Sequence, residues 1–393
     1  MTPAARVQSA IEVLDAVIAA VRREGASADR IAADWLKTRR FIGSKDRRAI
    51  RELVWQAIRM CGETPVSGRA AVLRLAADDP VLAALFDGSS YGPAAAQGSE
   101  PVASAGTAPA WLARQLASSG IDADAGAAML GRAPLDLRAN RLKTTRDALA
   151  ALLPIAAETT QAPDALRLPG GTQAESWPEF EQGLFEVQDT GSQLACVALG
   201  VQPGEAVVDL CAGGGGKTLA LAAAMENRGR LLACDIDRAR LSRLPQRAAR
   251  AGALAETRLL DPGREAEALA DWQGAADAVL VDAPCSGTGT WRRNPEARWR
   301  LTPQALARYA RVQATVLRLG AALVRPGGRL TYVVCSLLDA EGVDVIQAFL
   351  TEATGWRAAD QAVGAGTPHG PGIRLTPGQD GTDGFFFATL HRL

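Results

Sequence analysis

Two cysteines stand just past the ends of apolar runs. Ala278-Val279-Leu280-Val281 leads into Asp282-Ala283-Pro284-Cys285-Ser286, and Leu330-Thr331-Tyr332-Val333-Val334 leads into Cys335-Ser336. Three similar runs end at Asp209, Asp235 and Asp261. A thiol becomes nucleophilic when partly exposed near a helix start or a cation. Cys335 precedes a helix expected to begin near Asp339, and Cys285 lies in a turn shared with Arg292 and Arg293. Cys61, Cys196, Cys211 and Cys234 read instead as inert packing. A thiolate can add to carbon 6 of a pyrimidine, which turns the otherwise unreactive carbon 5 into an enamine carbon able to take a methyl group.

The run Asp209-Leu210-Cys211-Ala212-Gly213-Gly214-Gly215-Gly216-Lys217-Thr218 follows a strand pattern and opens a helix pattern. Glycines let a backbone turn sharply against a ligand, and the helix start offers free N–H groups. A triphosphate-binding loop would need glycine where Cys211 stands, so that reading is demoted. Asp235, some twenty residues on, is placed to accept both ribose hydroxyls, and Asp261 can reach an adenine edge. One strand-end aspartate is as easily a cap or turn former. Three in register with a glycine loop describe an adenosine-containing ligand, and S-adenosylmethionine is the one that carries a methyl group.

Such residues need a scaffold that gathers them on one rim. Short apolar runs alternating with longer helical patterns read as parallel strands of an α/β sheet, whose ligands bind beyond the carboxyl ends of the strands. From Leu199 onward this alternation is regular, ending in a strand over Phe385–Leu390. Leu135–Asn140 reads as an earlier strand, and Pro109–Ser118 as a helix. The first part is helical by pattern: Val7, Ile11, Leu14, Ile18 and Val21 form one stripe, Ser27 caps a second helix, and Ser44 caps a third. Residues 88–108, rich in Gly, Ser, Ala and Pro, read as a flexible segment.

The 393 residues are 48% hydrophobic and 22% charged with zero formal net charge, ordinary for a globular protein of two or three domains. No run approaches the roughly 20 apolar residues of a membrane span. No signal-peptide core is visible and the cysteines show no paired spacing, so a reducing cytoplasm is expected, with no metal site. The only histidines, His369 and His391, lie late in the chain, which disfavours hydrolase chemistry that needs a histidine base. Charge is local rather than global: Lys37, Arg39, Arg40, Lys45, Arg47, Arg48 and Arg51 surround one acid, Asp46. That cluster reads equally as a solvated face or an RNA-contacting patch.

Taken together, these motifs resemble those of the RsmB/NOP/NSUN family of RNA cytosine-5 methyltransferases along nearly the whole chain. The matching segments are Asp209–Ala212 with Gly215–Thr218, Asp235-Ile236-Asp237, Asp261, Asp282–Ser286, Arg292–Pro295, Cys335-Ser336 with Glu341, and Asp383–Phe386. The resemblance implies a class I Rossmann-like methyltransferase domain with a mainly parallel sheet over 201–393. It also implies a small connecting α/β subdomain over 131–200 and an all-α NusB-like RNA-binding domain over 1–130. It implies that Cys335 is the nucleophile, that Cys285 helps release product and that Asp282 hydrogen-bonds the cytosine. Cys211, Ala212, Gly213, Gly214, Gly215, Gly216, Lys217, Asp235, Asp261 and Asp282 would form the S-adenosylmethionine site. The expected substrate is 16S ribosomal RNA, with transfer RNA the alternative, and the expected state is a monomer. A DNA methyltransferase would use the Pro-Cys cysteine and carry a large domain after the catalytic motifs. Three positions depart from the family pattern: Gly214 stands for proline, Val334 for threonine and Gly342 for asparagine. A catalytically impaired RNA-binding protein is the competing reading.

Overall fold

Proline at the first turn and a threonine before it start the chain's first helix: Thr2 accepts from Ala5 N, and Pro3 opens α1 (Pro3–Arg22). The computed structural model describes residues 1–23, 25–360 and 363–393. They divide into a helical unit, residues 1–131 with 290–302, and a sheet unit, residues 132–289 with 303–393.

In the helical unit α1 is joined by α2 (Ala28–Lys37), α3 (Ser44–Met60) and α4 (Gly68–Ala76). The stripe Val7, Ile11, Leu14, Ile18 and Val21 is buried, with Ile50, Val54 and Ile58 of α3 in the same core. Gly68 lets α4 start against α1, since a Cβ there would strike the Ile11 carbonyl, and Asp15 Oδ1 accepts from Gly68 N at 2.6 Å. One capping expectation needs correction. Ser44 is the first helical residue and Gly43 the cap, while Ser27 caps α2 without a side-chain bond. The Ala28 N–H at the helix start donates to buried Glu296 at 2.9 Å. Arg298, fully buried, donates to the carbonyls of Ile58 (2.6 Å) and Cys61 (2.9 Å), satisfying acceptors that the end of α3 leaves open. Residues 88–108 form no helix or strand beyond a one-residue bridge from Ala105 to Cys61, but they are tied down. Arg69 donates to Glu100 (2.9 Å) and Ala94 O (3.0 Å), and Ala103 N donates to Ala70 O at 3.1 Å.

In the sheet unit the described residues form two sheets. The smaller contains β1 (Leu135–Ala139), β2 (Glu158–Thr159), β3 (Ala165–Leu168) and β4 (Phe185–Val187) in the order β2-β3-β1-β4, all antiparallel. The larger begins with β5 (Ala206–Asp209), β6 (Arg230–Asp235), β7 (Glu256–Leu259), β8 (Ala276–Asp282) and β9 (Val324–Val334). It closes with β10 (Trp356–Ala358), β11 (Thr367–His369), β12 (Gly372–Leu375) and β13 (Phe385–Arg392). Its order is β11-β12-β13-β9-β8-β5-β6-β7, with β10 on β13. The five strands from β9 to β7 run parallel, and β13 is antiparallel to β9. This is the mainly parallel α/β sheet that the sequence implies.

Both faces of the parallel strands are covered, which is why they read as unbroken apolar runs. Val207, Leu280 and Val333 face a core with Leu194, Leu199 and Leu219, while Val208, Val279, Val281 and Val334 face Leu317, Ile346 and Phe349. Each such side chain contributes about 1.5–3 kcal/mol on full burial. Chain order reverses at β5, with β6 and β7 to one side and β8 and β9 to the other, so the β5/β8 boundary is the switch point where such sheets hold ligands. Among the described residues no helix is long and apolar enough to cross a membrane.

Candidate active site

The carboxyl ends of the parallel strands deliver the expected residues to one rim. Asp209 ends β5, Asp235 ends β6 and Asp282 ends β8, while Asp261 and Cys335 follow β7 and β9.

The glycine loop lies between β5 and the helix Gly216–Ala224, with positive φ at Gly213 (56°) and Gly215 (84°). A Cβ at Gly213 would run into the Arg240 guanidinium, and one at Gly215 into Leu244. The loop is braced from outside. Arg247 Nη1 donates to Gly214 O at 2.6 Å while its Nη2 pairs with Glu186 of β4 at 2.7 Å, and Arg138 of β1 donates to Gly216 O at 3.0 Å. The smaller sheet thus supports the loop. Gly214 itself has no positive φ.

Asp235, 7% exposed, accepts from Gly213 N through Oδ2 and from Asp237 N through Oδ1, both at 2.7 Å. Each oxygen keeps a second lone pair. Asp237 is a helix cap, accepting from Arg240 N at 3.0 Å. Asp261 is exposed. Asp209 is fully buried: Oδ2 accepts from Thr218 Oγ1 at 2.6 Å, and Oδ1 has no partner among the described residues. Burial, opposed by the Thr218 hydrogen bond and Lys217 but aided by the Asp282 and Asp235 charges, pushes its carboxyl up to about 7. Lys217 Nζ donates to Asp282 Oδ2 at 2.6 Å. Burial opposes the ammonium charge, yet Asp282, Cys196 and Cys335 together hold the Lys217 pKa above its ordinary value.

The two thiols meet: Cys285 Sγ and Cys335 Sγ lie 3.3 Å apart, both half-buried. The hydrogen bond with Cys335, then burial, then the charges of Cys335 and Glu341, push the Cys285 thiol well above its ordinary pKa. Cys196 and Cys234 are pushed to about 12 and Cys61 to about 11, chiefly by burial. Arg292 and Arg293, expected to share the Cys285 turn, fall in the segment that belongs to the helical unit.

Beneath the thiols lies a network that the motif reading did not assign. Glu341, 1% exposed, accepts from Ser286 N (2.8 Å), Ser286 Oγ, Ser336 Oγ (2.6 Å) and Gln313 Nε2 (3.0 Å). Thr288 Oγ1 lies 3.0 Å from Ser336 Oγ and accepts from Leu337 N at 2.9 Å. One buried acid therefore joins the serines that follow both cysteines. The visible sign was the repeated Cys-Ser pair with an acid five residues after Ser336. The departures at Val334 and Gly342 also have local settings. Val334 is buried opposite Phe386, and the Phe386 ring occupies the space a Cβ at Gly342 would need.

Residues 196–391 match the protein family described as 16S rRNA methyltransferase RsmB/F. Ribosomal RNA small subunit methyltransferase B of Salmonella typhi is 39% identical over 266 residues, which cover 66% of this chain and 60% of that protein. The chain spans about three fifths of the length of the curated relatives it matches. Among solved structures, a methyltransferase homolog protein from Pyrococcus horikoshii is 26% identical with a TM-score of 0.61, covering 72% of this chain and 100% of that one. The fold of PH0851 matches at a TM-score of 0.75 with 24% identity, over 97% of this chain and 98% of that one.

Proposed function

Because residues 196–391 belong to the RsmB/F methyltransferase family, we propose that this protein methylates carbon 5 of a cytosine in RNA, with 16S ribosomal RNA as the substrate. The observation that carries this reading is the pair of sulfurs 3.3 Å apart at the ends of adjacent parallel strands, next to the Asp282 strand end.

S-adenosylmethionine would supply an electrophilic methyl group. Cys211, Ala212 and Gly213–Lys217 would hold it, with Asp235 on the ribose hydroxyls, Asp261 on the adenine edge and Asp282 at the reacting end. The residues fit such a ligand: among the described residues, the buried Asp209 Oδ1 below the loop has no partner.

Asp282, steadied by Lys217, accepts from the cytosine amino group. The Cys335 thiolate bonds to carbon 6, and the displaced electron pair makes carbon 5 the nucleophile that takes the methyl. The hydrogen bond between the sulfurs raises the Cys285 pKa well above its ordinary value. Once the Cys335 sulfur is bonded to carbon, that cause is gone. Cys285 can then give its proton to water and take the hydrogen from carbon 5. The electrons left behind reform the ring double bond and expel the Cys335 thiolate.

The test uses 16S ribosomal RNA and methyl-labelled S-adenosylmethionine, followed by digestion to nucleosides. Label in 5-methylcytidine is expected. Label confined to a ring nitrogen or a ribose would overturn the reading.

A further inference from the structure

The helical unit holds an aromatic ring for which methyl transfer has no use. Phe41 is 80% exposed, more than any other large apolar side chain among the described residues. It lies in the turn between α2 and α3, and that turn is built rather than slack. Ile42 beside it is buried at 2% exposure, and Ile42 N donates to Arg39 O at 3.1 Å. Arg47 braces the turn from α3, donating to Ile42 O at 2.7 Å and Arg39 O at 3.1 Å. The Arg39 guanidinium lies 3.7 Å from the centroid of the Trp35 ring. The chain thus holds the backbone under a phenyl ring that stands in water, where an apolar side chain gains nothing by folding.

The charges around the turn are unbalanced. Arg39 pairs with Glu12, Arg51 with Asp29, and Asp46 is taken by Arg6 at 2.7 Å. Lys37, Arg40, Lys45 and Arg48 are exposed and have no ionic partner among the described residues. Four free cations around a fixed aromatic ring match a ligand with phosphates and flat apolar faces.

We propose that Phe41 is a stacking platform for an unpaired base of single-stranded RNA, with Lys37, Arg40, Lys45 and Arg48 on the flanking phosphates. This rests on the reading that RNA is the substrate and adds which part of it the helical unit grips. Bases in an A-form duplex are already stacked, and its deep groove excludes side chains, whereas loop bases can lie on an aromatic ring. A protein partner could cover the ring but would need acids to match the four cations.

The experiment uses the full chain and fluorescence anisotropy with two probes: a short unstructured oligoribonucleotide and a duplex of equal length. Phe41→Ala should weaken the single strand about tenfold, within the range found for loss of one base–aromatic stack, and leave the duplex unchanged. Phe41→Trp should restore binding. Phe41→Ala should keep the wild-type slope of affinity against salt, whereas the Lys45→Ala, Arg48→Ala double variant should flatten it. Unchanged single-strand affinity, or equal loss on both probes, would overturn the platform, as would a Phe41→Ala defect confined to self-association or protein capture. If the wild type methylates cytosine and binds RNA while Phe41→Ala binds equally well, only the platform falls. If the wild type neither methylates nor binds RNA, the functional reading itself falls.

Discussion

Ser336 Oγ donates to Glu341 Oε2 at 2.6 Å, and that same carboxylate oxygen accepts from Ser286 Oγ. The serines that follow Cys285 and Cys335 are therefore fixed to one buried point. Glu341→Ala leaves the buried Ser286 N–H and one Gln313 amide hydrogen without an acceptor, and should lower stability by about 3 kcal/mol. It should also cut the methylation rate at least tenfold while cofactor affinity holds. Glu341→Gln, which keeps one acceptor oxygen, should fall between. Urea unfolding and single-turnover rates read both effects. A wild-type rate for the alanine variant would mean that the cysteine turns are held by something else.

Asp235 holds the loop through the Gly213 N–H and its own turn through the Asp237 N–H, as well as facing the proposed ribose position. One charge-assisted hydrogen bond contributes about 1.5–3 kcal/mol, so Asp235→Ala should weaken S-adenosylmethionine binding by roughly tenfold or more in calorimetry. Asp237→Ala removes only a helix cap, with a cost of about 1 kcal/mol in stability, and should leave affinity intact. The reverse pattern would move the ribose site to Asp237.

Asp209 predicts a pH dependence. Its carboxyl, raised by burial to about 7 in the fold, titrates near 3.9 in an unfolded chain. Its contribution to stability is fully present below the unfolded value and is lost as pH rises to about 7, with on the order of 4 kcal/mol across the window. Asp209→Asn stays neutral and should flatten stability between about pH 4 and about pH 7, measured by urea unfolding without cofactor. An unchanged pH profile would refute the assignment.

Gly342 departs from the family's asparagine, yet restoring it should not help. A Cβ there would sit 2.8 Å from Phe386 Cδ1, and Phe386 is buried at 3% exposure. Overpacking costs about 1–3 kcal/mol, so Gly342→Asn should be destabilised by that amount in urea. Equal or greater stability would show that the Phe386 ring moves aside freely.

Much of this was legible because the parallel strands are buried on both faces. Val207-Val208 and Val279-Leu280-Val281 read as solid apolar runs, and whatever follows such a run arrives at the rim. Asp209, Asp235, Asp282 and Cys335 were located in this way. What escaped depends on contacts between distant segments. The Glu341 network needs β8 and β9 side by side before Ser286 can meet Ser336. The Ala28 N–H is satisfied by Glu296, 268 residues away, which no local pattern announces. Composition marked 88–108 as loose, but Arg69 and Ala70 bind it from outside the segment.

The central claim is that Cys335 bonds to the cytosine and Cys285 is needed to let it go. Denaturing gel electrophoresis of each variant with 16S ribosomal RNA and S-adenosylmethionine tests this most directly. Cys285→Ala should accumulate a protein–RNA adduct that survives denaturation, because the bond forms and cannot be resolved. Cys335→Ala should form no adduct and no 5-methylcytidine. An adduct with Cys335→Ala and none with Cys285→Ala would exchange the two roles, and no adduct with either would contradict covalent catalysis at this pair.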